Sequence, residues 1–158
     1  MNSQVANLTD FWSQARTAFP ALPDSFTVRQ IASQPAVNQA ILDAITSGNK
    51  TGTVSIPDVY AQTGEVRPAV GDGIILLNAE ELPALAVQLT HIDDVPYAKI
   101  TEKHTALDGP RVRELKAWQD SHKPWFDRQL APFGLRCEDH TLIAFETFAV
   151  RYPALNGA

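Results

Sequence analysis

Gly48 divides this sequence into two textures, and no other feature constrains the fold more. Before it, apolar residues recur at three and four positions. Leu8, Phe11, Trp12, Ala15 and Phe19 predict a helix over Leu8–Phe19, with Thr9 or Asp10 capping its start and Pro20 stopping it. A Pro-containing loop, 21–25, follows. Gln34–Ser47 carries the strongest helical signal, because Val37, Ile41, Ala44 and Ile45 form one stripe and Gly48 is suited to a C-terminal cap.

After Gly48 the period falls to two. Thr51–Ile56 alternates Thr, Val and Ile with small residues, which predicts a strand. Val70-Gly71-Asp72-Gly73 is a turn signal leading into Ile74–Leu77; a turn around 78–81 and a strand over Ala84–Thr90 complete a hairpin-like pair. Tyr97–Thr101 is expected as a further strand, and Asp108-Gly109-Pro110 as a break. Arg113–Leu130 is expected as a helix with a kink or restart at Pro124. Thr141–Arg151 is apolar on both alternating faces, the pattern of a closing strand buried on each side. The class is therefore α+β. Short strands in succession favour a small barrel, closed or nearly so, because closure removes exposed edges.

The chain's 158 residues fit one domain, and 44% apolar residues suffice for a core. Thirteen basic against eighteen acidic residues leave a net charge of −5, which disfavours bulk capture of polynucleotides, where phosphate neutralisation dominates affinity. A small ligand is the expected partner. The lone cysteine, Cys137, is expected as a buried structural thiol, and it removes any need for an oxidising compartment. The first twenty residues lack the basic and apolar regions of a secretory signal, and no apolar run is long enough to span a bilayer. The expectation is a cytoplasmic protein with no membrane partner.

Two loops draw attention chemically. Gly48-Asn49-Lys50-Thr51-Gly52-Thr53 places a lysine and two hydroxyls within four residues, flanked by glycines that permit close backbone approach. It is not a P-loop: the order of residues is wrong and the helix precedes the glycine. Its local reading is a capping lysine and a strand threonine. Asp108-Gly109-Pro110-Arg111 reads locally as a turn whose carboxylate bonds nearby N–H groups. His122 stands with Trp118 and Phe126 at i, i+4 and i+8 spacing and reads as a core histidine. His91, His104 and His140 have no metal-ligand spacing, so no metal is expected. Seven Lys/Arg against five Asp/Glu over residues 99–128 read as a solvated helix face.

The order of these loops resembles a known family. Gly48-Asn49-Lys50-Thr51-Gly52-Thr53 is similar to the helix-end G-x-K-T-x-T signature of the ASCH domain family, and Val70-Gly71-Asp72 to its V-G-D turn. Asp108-Gly109 followed by Trp118, His122 and Phe126 resembles its E-G…W…H…F-F segment, and Phe145-Glu146-Thr147-Phe148 its closing E-x-F strand. The matches run in order from about Ile41 to Val150. Two departures stand out: Asp108 is one methylene shorter than the family's Glu, and Arg111-Val112 replaces an acidic Gly-Asp.

The resemblance implies a small PUA-like β-barrel flanked by helices, with residues 1–158 forming one domain. Residues 1–40 would be a helical extension and 41–152 the barrel core with its late helix. It also implies one of two activities. Some members remove the acyl group from N4-acetylcytidine without a metal or other cofactor; others bind RNA or act as ribonucleases. In the amidohydrolase type, Lys50, Thr53 and Asp108 would be catalytic. Thr53 or a water beside it would be the nucleophile, Lys50 the proton acceptor or oxyanion stabiliser, and Asp108 the proton relay. Thr51, Gly109 and Arg111 would contact a nucleoside substrate, with Arg113 adding charge at the rim and Phe26 or Trp12 stacking on the pyrimidine. An aspartate can replace the glutamate only where the backbone moves in to compensate, since about 1 Å of misplacement costs orders of magnitude in rate.

Overall fold

In the computed structural model, which describes residues 3–110 and 112–155, the helix-to-strand change falls at Gly48. The elements run α1 (Ser3–Ala18), β1 (Thr27–Arg29), α2 (Pro35–Thr46), β2 (Gly52–Ser55), α3 (Pro57–Thr63), β3 (Gly73–Leu77), β4 (Pro83–Pro96), α4 (Glu102–Thr105), α5 (Leu115–Leu130) and β5 (Leu142–Tyr152). Short 3-10 turns lie at Tyr97–Lys99, Ala106–Asp108 and Ala131–Phe133. The strands form one five-stranded sheet in the order β1-β3-β4-β5-β2. The first and third are parallel, whereas β3–β4 and β2–β5 are antiparallel.

The chain divides into two compact units. One contains residues 1–48, 69–90 and 148–158, the other 49–68 and 91–147. In the first, α2 begins where Gln34 accepts a bond from the Val37 N–H at 2.9 Å and Pro35 occupies an early position that needs no N–H partner. It ends at Gly48, whose φ of +83° is costly for other residues. Buried Asn38 holds this helix in place, its amide directed at the carbonyls of Ile31, Ala32 and Leu77 at 3.1–3.2 Å. The core of the unit gathers Trp12 and Ala15 of α1 with Ile75, Leu77 and Ala86 of the sheet. Gly73 opens β3 because the Trp12 ring occupies the space a Cβ would need.

The core of the second unit is built on Trp118, Phe126 and Leu130 from α5 and Ile143 and Phe145 from β5, with Ile56, Val95 and Tyr97 around them. Each such side chain, fully buried, contributes roughly 1.5–3 kcal/mol. Alternation along β5 sends Ile143 and Phe145 into this core and turns Glu146 to the other face of the strand. Cys137 is buried here, as expected of a structural thiol, and desolvation pushes it up to about 11.

Several expectations require correction. Thr9 and Asp10 do not cap α1, because the helix starts at Ser3 and both lie exposed within it. Tyr97–Thr101 is not a strand. Pro96 ends β4, the N–H groups of Tyr97 and Ala98 bond to Thr141 and Asp139 at 2.8 and 3.0 Å, and Thr101 forms a capping box with His104 that starts α4. The late helix starts at Leu115 rather than Arg113 and runs through Pro124 as one element, without a restart. Three elements gave no periodic signal: β1, with three residues, α3, which Pro57 starts directly after a strand, and the single turn of α4.

Candidate functional site

The turn Gly48-Asn49 ends α2 and delivers Lys50 just before β2. A lysine there would normally reach solvent, yet its side chain is only 8% exposed and forms an ion pair with Asp108, itself 5% exposed. Both come from the second unit. The backbone accounts for their meeting. Thr51 donates its N–H to the Leu107 carbonyl at 2.9 Å, which ties the turn Ala106–Asp108 to the start of β2. Gly109 follows with φ +94°, and a Cβ at that position would come within 3.3 Å of the Asn49 carbonyl oxygen. The backbone is close enough for the shorter carboxylate to reach the lysine.

Asp108 is held from several sides. Its Oδ1 accepts from Lys50 Nζ, and its Oδ2 accepts from the Trp118 indole N–H at 2.6 Å. A carboxylate buried this deeply needs such partners, because desolvation costs several kcal/mol per ion when they are missing. Trp118 is fully buried and stacks on Phe145 at 5.6 Å and on His122 at 4.3 Å, so its N–H has little freedom.

His122 belongs to this group rather than to the core. Its side chain is 20% exposed, with Nε2 3.6 Å from Asp108 Oδ2 and Nδ1 2.9 Å from the Trp118 carbonyl. Burial holds its pKa below the ordinary imidazole value, assisted by Lys50, while Asp108 and the Trp118 carbonyl pull it upward. The spacing of Trp118, His122 and Phe126 located the right helix face; nothing in it revealed that Asp108 lies against that face.

Thr53 enters a different constellation. It stands opposite Glu146 across the β2–β5 ladder, and its hydroxyl has no hydrogen-bond partner among the described residues. Glu146 is 1% exposed and accepts a bond from Ser55 Oγ. Arg67 is held above its ordinary value chiefly by its two bonds to Asp94, at 2.7 and 2.9 Å, with Glu146 adding to the effect. Gly52 lies against the Glu146 carbonyl with no room for a Cβ. Sequence reasoning missed Glu146 as a site residue. The available signal was a carboxylate in an otherwise apolar strand, since charged side chains are rarely buried without partners.

The remaining expected contacts are more dispersed. Thr51 is exposed and reaches the site through its backbone. Phe26 packs against Trp12 at 5.2 Å, and both belong to the core of the first unit. Arg111 lies outside the described residues. Among the described residues, no group of three His, Cys, Asp or Glu is placed to hold a metal, and no helix is long and apolar enough to cross a membrane.

Comparisons with known proteins agree with this architecture. A structure described as the ASCH domain from Lactobacillus crispatus JV V101 superposes with a TM-score of 0.81 at 23% identity, covering 97% of this chain and 96% of that one. A protein from Enterococcus faecalis V583 gives a TM-score of 0.80 at 22% identity, covering 92% and 88%. These likenesses carry the fold, which is α+β and PUA-like. A comparison with curated proteins found no match. The family model described as the ASCH domain matches residues 29–152, and the chain belongs to that family.

Proposed function

We propose that the protein is a metal-independent amidohydrolase that removes the acyl group from N4-acylated cytidine or a related pyrimidine nucleoside. The observation carrying this reading is the buried Lys50–Asp108 pair, with the unengaged hydroxyl of Thr53 three residues further along the chain. Amide hydrolysis needs a nucleophile, positive charge where the oxyanion develops, and a route for a proton to the leaving amine.

Thr53 Oγ1 attacks the acyl carbonyl, and Lys50 Nζ, which has N–H groups beyond the one given to Asp108, stabilises the oxyanion. Collapse breaks the C–N bond. The proton from the hydroxyl passes through the Lys50–Asp108 pair to the leaving N4 amine. Water then cleaves the acyl-threonine ester, releasing the carboxylic acid and restoring the hydroxyl. In the alternative form, a water held by Thr53 makes the attack directly. Thr51, Gly109 and Arg111 remain the proposed nucleoside contacts.

Incubation with N4-acetylcytidine, following the release of cytidine, tests the reading. Lys50→Ala, Thr53→Ala and Asp108→Ala are each expected to lower the rate by about a hundredfold or more. Undiminished turnover in all three would remove this site. RNA binding or ribonuclease activity through the same pocket is the competing outcome, and salt separates the two. RNA affinity falls steeply between about 50 and 200 mM salt, whereas hydrolysis of an uncharged nucleoside barely responds. The commitment of Lys50 to a buried carboxylate, rather than to an exposed basic stripe, favours the small substrate.

A further inference from the structure

We propose that His122 is a positioning residue of the Lys50–Asp108 site: its Nε2 exchanges a proton with solvent and presents it to Asp108 Oδ2, which governs the release of Lys50 from its carboxylate. The Trp118 carbonyl, which can only accept, lies 2.9 Å from Nδ1 and fixes the neutral ring with its proton on that nitrogen. Nε2 then faces Asp108 Oδ2 as a bare lone pair at 3.6 Å, so two acceptors oppose each other with no proton between them. Stacking on Trp118 at 4.3 Å and 14° prevents the ring from turning away. One-fifth of the side chain is open to solvent, the route by which the proton arrives.

The exchange balances. Imidazole takes a proton from hydronium at Nε2 and leaves water. The imidazolium N–H then donates to Oδ2, and transfer of that proton yields a neutral imidazole and a neutral carboxylic acid. Lys50 thereby loses its counter-charge, and the acid holds a proton for a leaving amine. Loss of that proton to the amine restores the carboxylate and its pairing with Lys50. The proton shed by the attacking hydroxyl leaves through the same carboxylate and His122 Nε2 to water, remaking the hydronium consumed. Among the described residues, the charged groups facing His122 from outside its helix are Asp108 and Lys50. On α5 itself, Lys123 and Asp127 pair with each other at 3.0 Å.

The catalytic consequence rests on the hydrolase reading, but the proton exchange does not, and the experiment separates them. Nitrogen-15 NMR titration of the imidazole in substrate-free protein is expected to show the Nδ1–H tautomer at neutral pH. Asp108→Asn should lower the His122 midpoint by about one unit and Lys50→Met should raise it by about the same. If Asp108→Asn fails to fold, Lys50→Met supplies the comparison. A Nε2–H tautomer at neutral pH, or midpoints that ignore both substitutions, overturns the proposal. With N4-acetylcytidine, the alkaline limb of the wild-type kcat profile, where His122 loses its proton, should follow the His122 midpoint. His122→Asn should remove that limb and lower kcat about 10–100-fold with KM held. A lower rate with that alkaline limb intact would reduce His122 to packing and also overturn it. Absence of wild-type turnover, beside a titration that responds to both substitutions, counts against the hydrolase and supports the proton exchange.

Discussion

The indole N–H of Trp118 donates to Asp108 Oδ2 at 2.6 Å, joining a fully buried aromatic of one core to the carboxylate that holds Lys50. Trp118→Phe keeps most of the ring packing and removes this donor. Hydrogen bonds to charged groups contribute about 1.5–3 kcal/mol, so a loss of that order is expected in urea unfolding. The His122 midpoint should shift with it, because the same substitution alters the surface on which the imidazole stacks.

Lys50 and Asp108 should behave as a coupled pair. Removing either partner leaves a buried charge without its counterpart, at an expected cost of about 3–5 kcal/mol. The double variant Lys50→Met with Asp108→Asn should recover much of that loss. A double-mutant cycle by chemical denaturation measures the coupling, and additivity would show that the two residues do not sense each other.

Gly52→Ala places a methyl group against the Glu146 carbonyl oxygen, a backbone atom with no room to retreat. Overpacking of this kind costs about 1–3 kcal/mol. Because Gly52 pairs with Thr147 and Thr53 with Glu146, the strain falls on the ladder that presents Thr53. A lower melting temperature together with a rate loss is expected, whereas Gly64→Ala, where a Cβ meets nothing within 4 Å, should affect melting alone through its φ of +75°.

His122 also makes stability depend on pH. Its folded pKa lies below its unfolded value, so the unfolded chain binds the proton more readily as pH falls. Its contribution is intact above about pH 6.5 and is lost as pH drops through the folded pKa. Urea unfolding at about pH 7 and pH 5 should show a larger acid loss for the wild type than for His122→Gln.

The sequence made α2, the β3–β4 pair and β5 legible because each carries an uninterrupted period and a clear stop. It did not reveal β1, whose three residues are too few to show a period, or α3, whose first residue is a proline directly after a strand. At the site, Lys50 and Asp108 were readable as motif residues, and their ion pair confirms that the two loops meet. The role of His122 was hidden because helical spacing specifies a face, not what packs on it. Glu146 was hidden for the opposite reason: an apolar strand conceals one carboxylate unless its partner, Ser55, is known to lie across the ladder.

The two compact units have a consequence for anyone who wishes to dissect the protein. One is assembled from three separate stretches of chain and the other from two, and both β4 and β5 pass from one to the other partway along their length. No single cut of the gene yields either unit whole. A fragment ending at Thr90 would carry Lys50 and Thr53 without Asp108, and one beginning at His91 would carry Asp108 and His122 without the lysine. Split-protein complementation at that junction therefore tests the proposed hydrolysis directly: turnover is expected only when the two halves find each other.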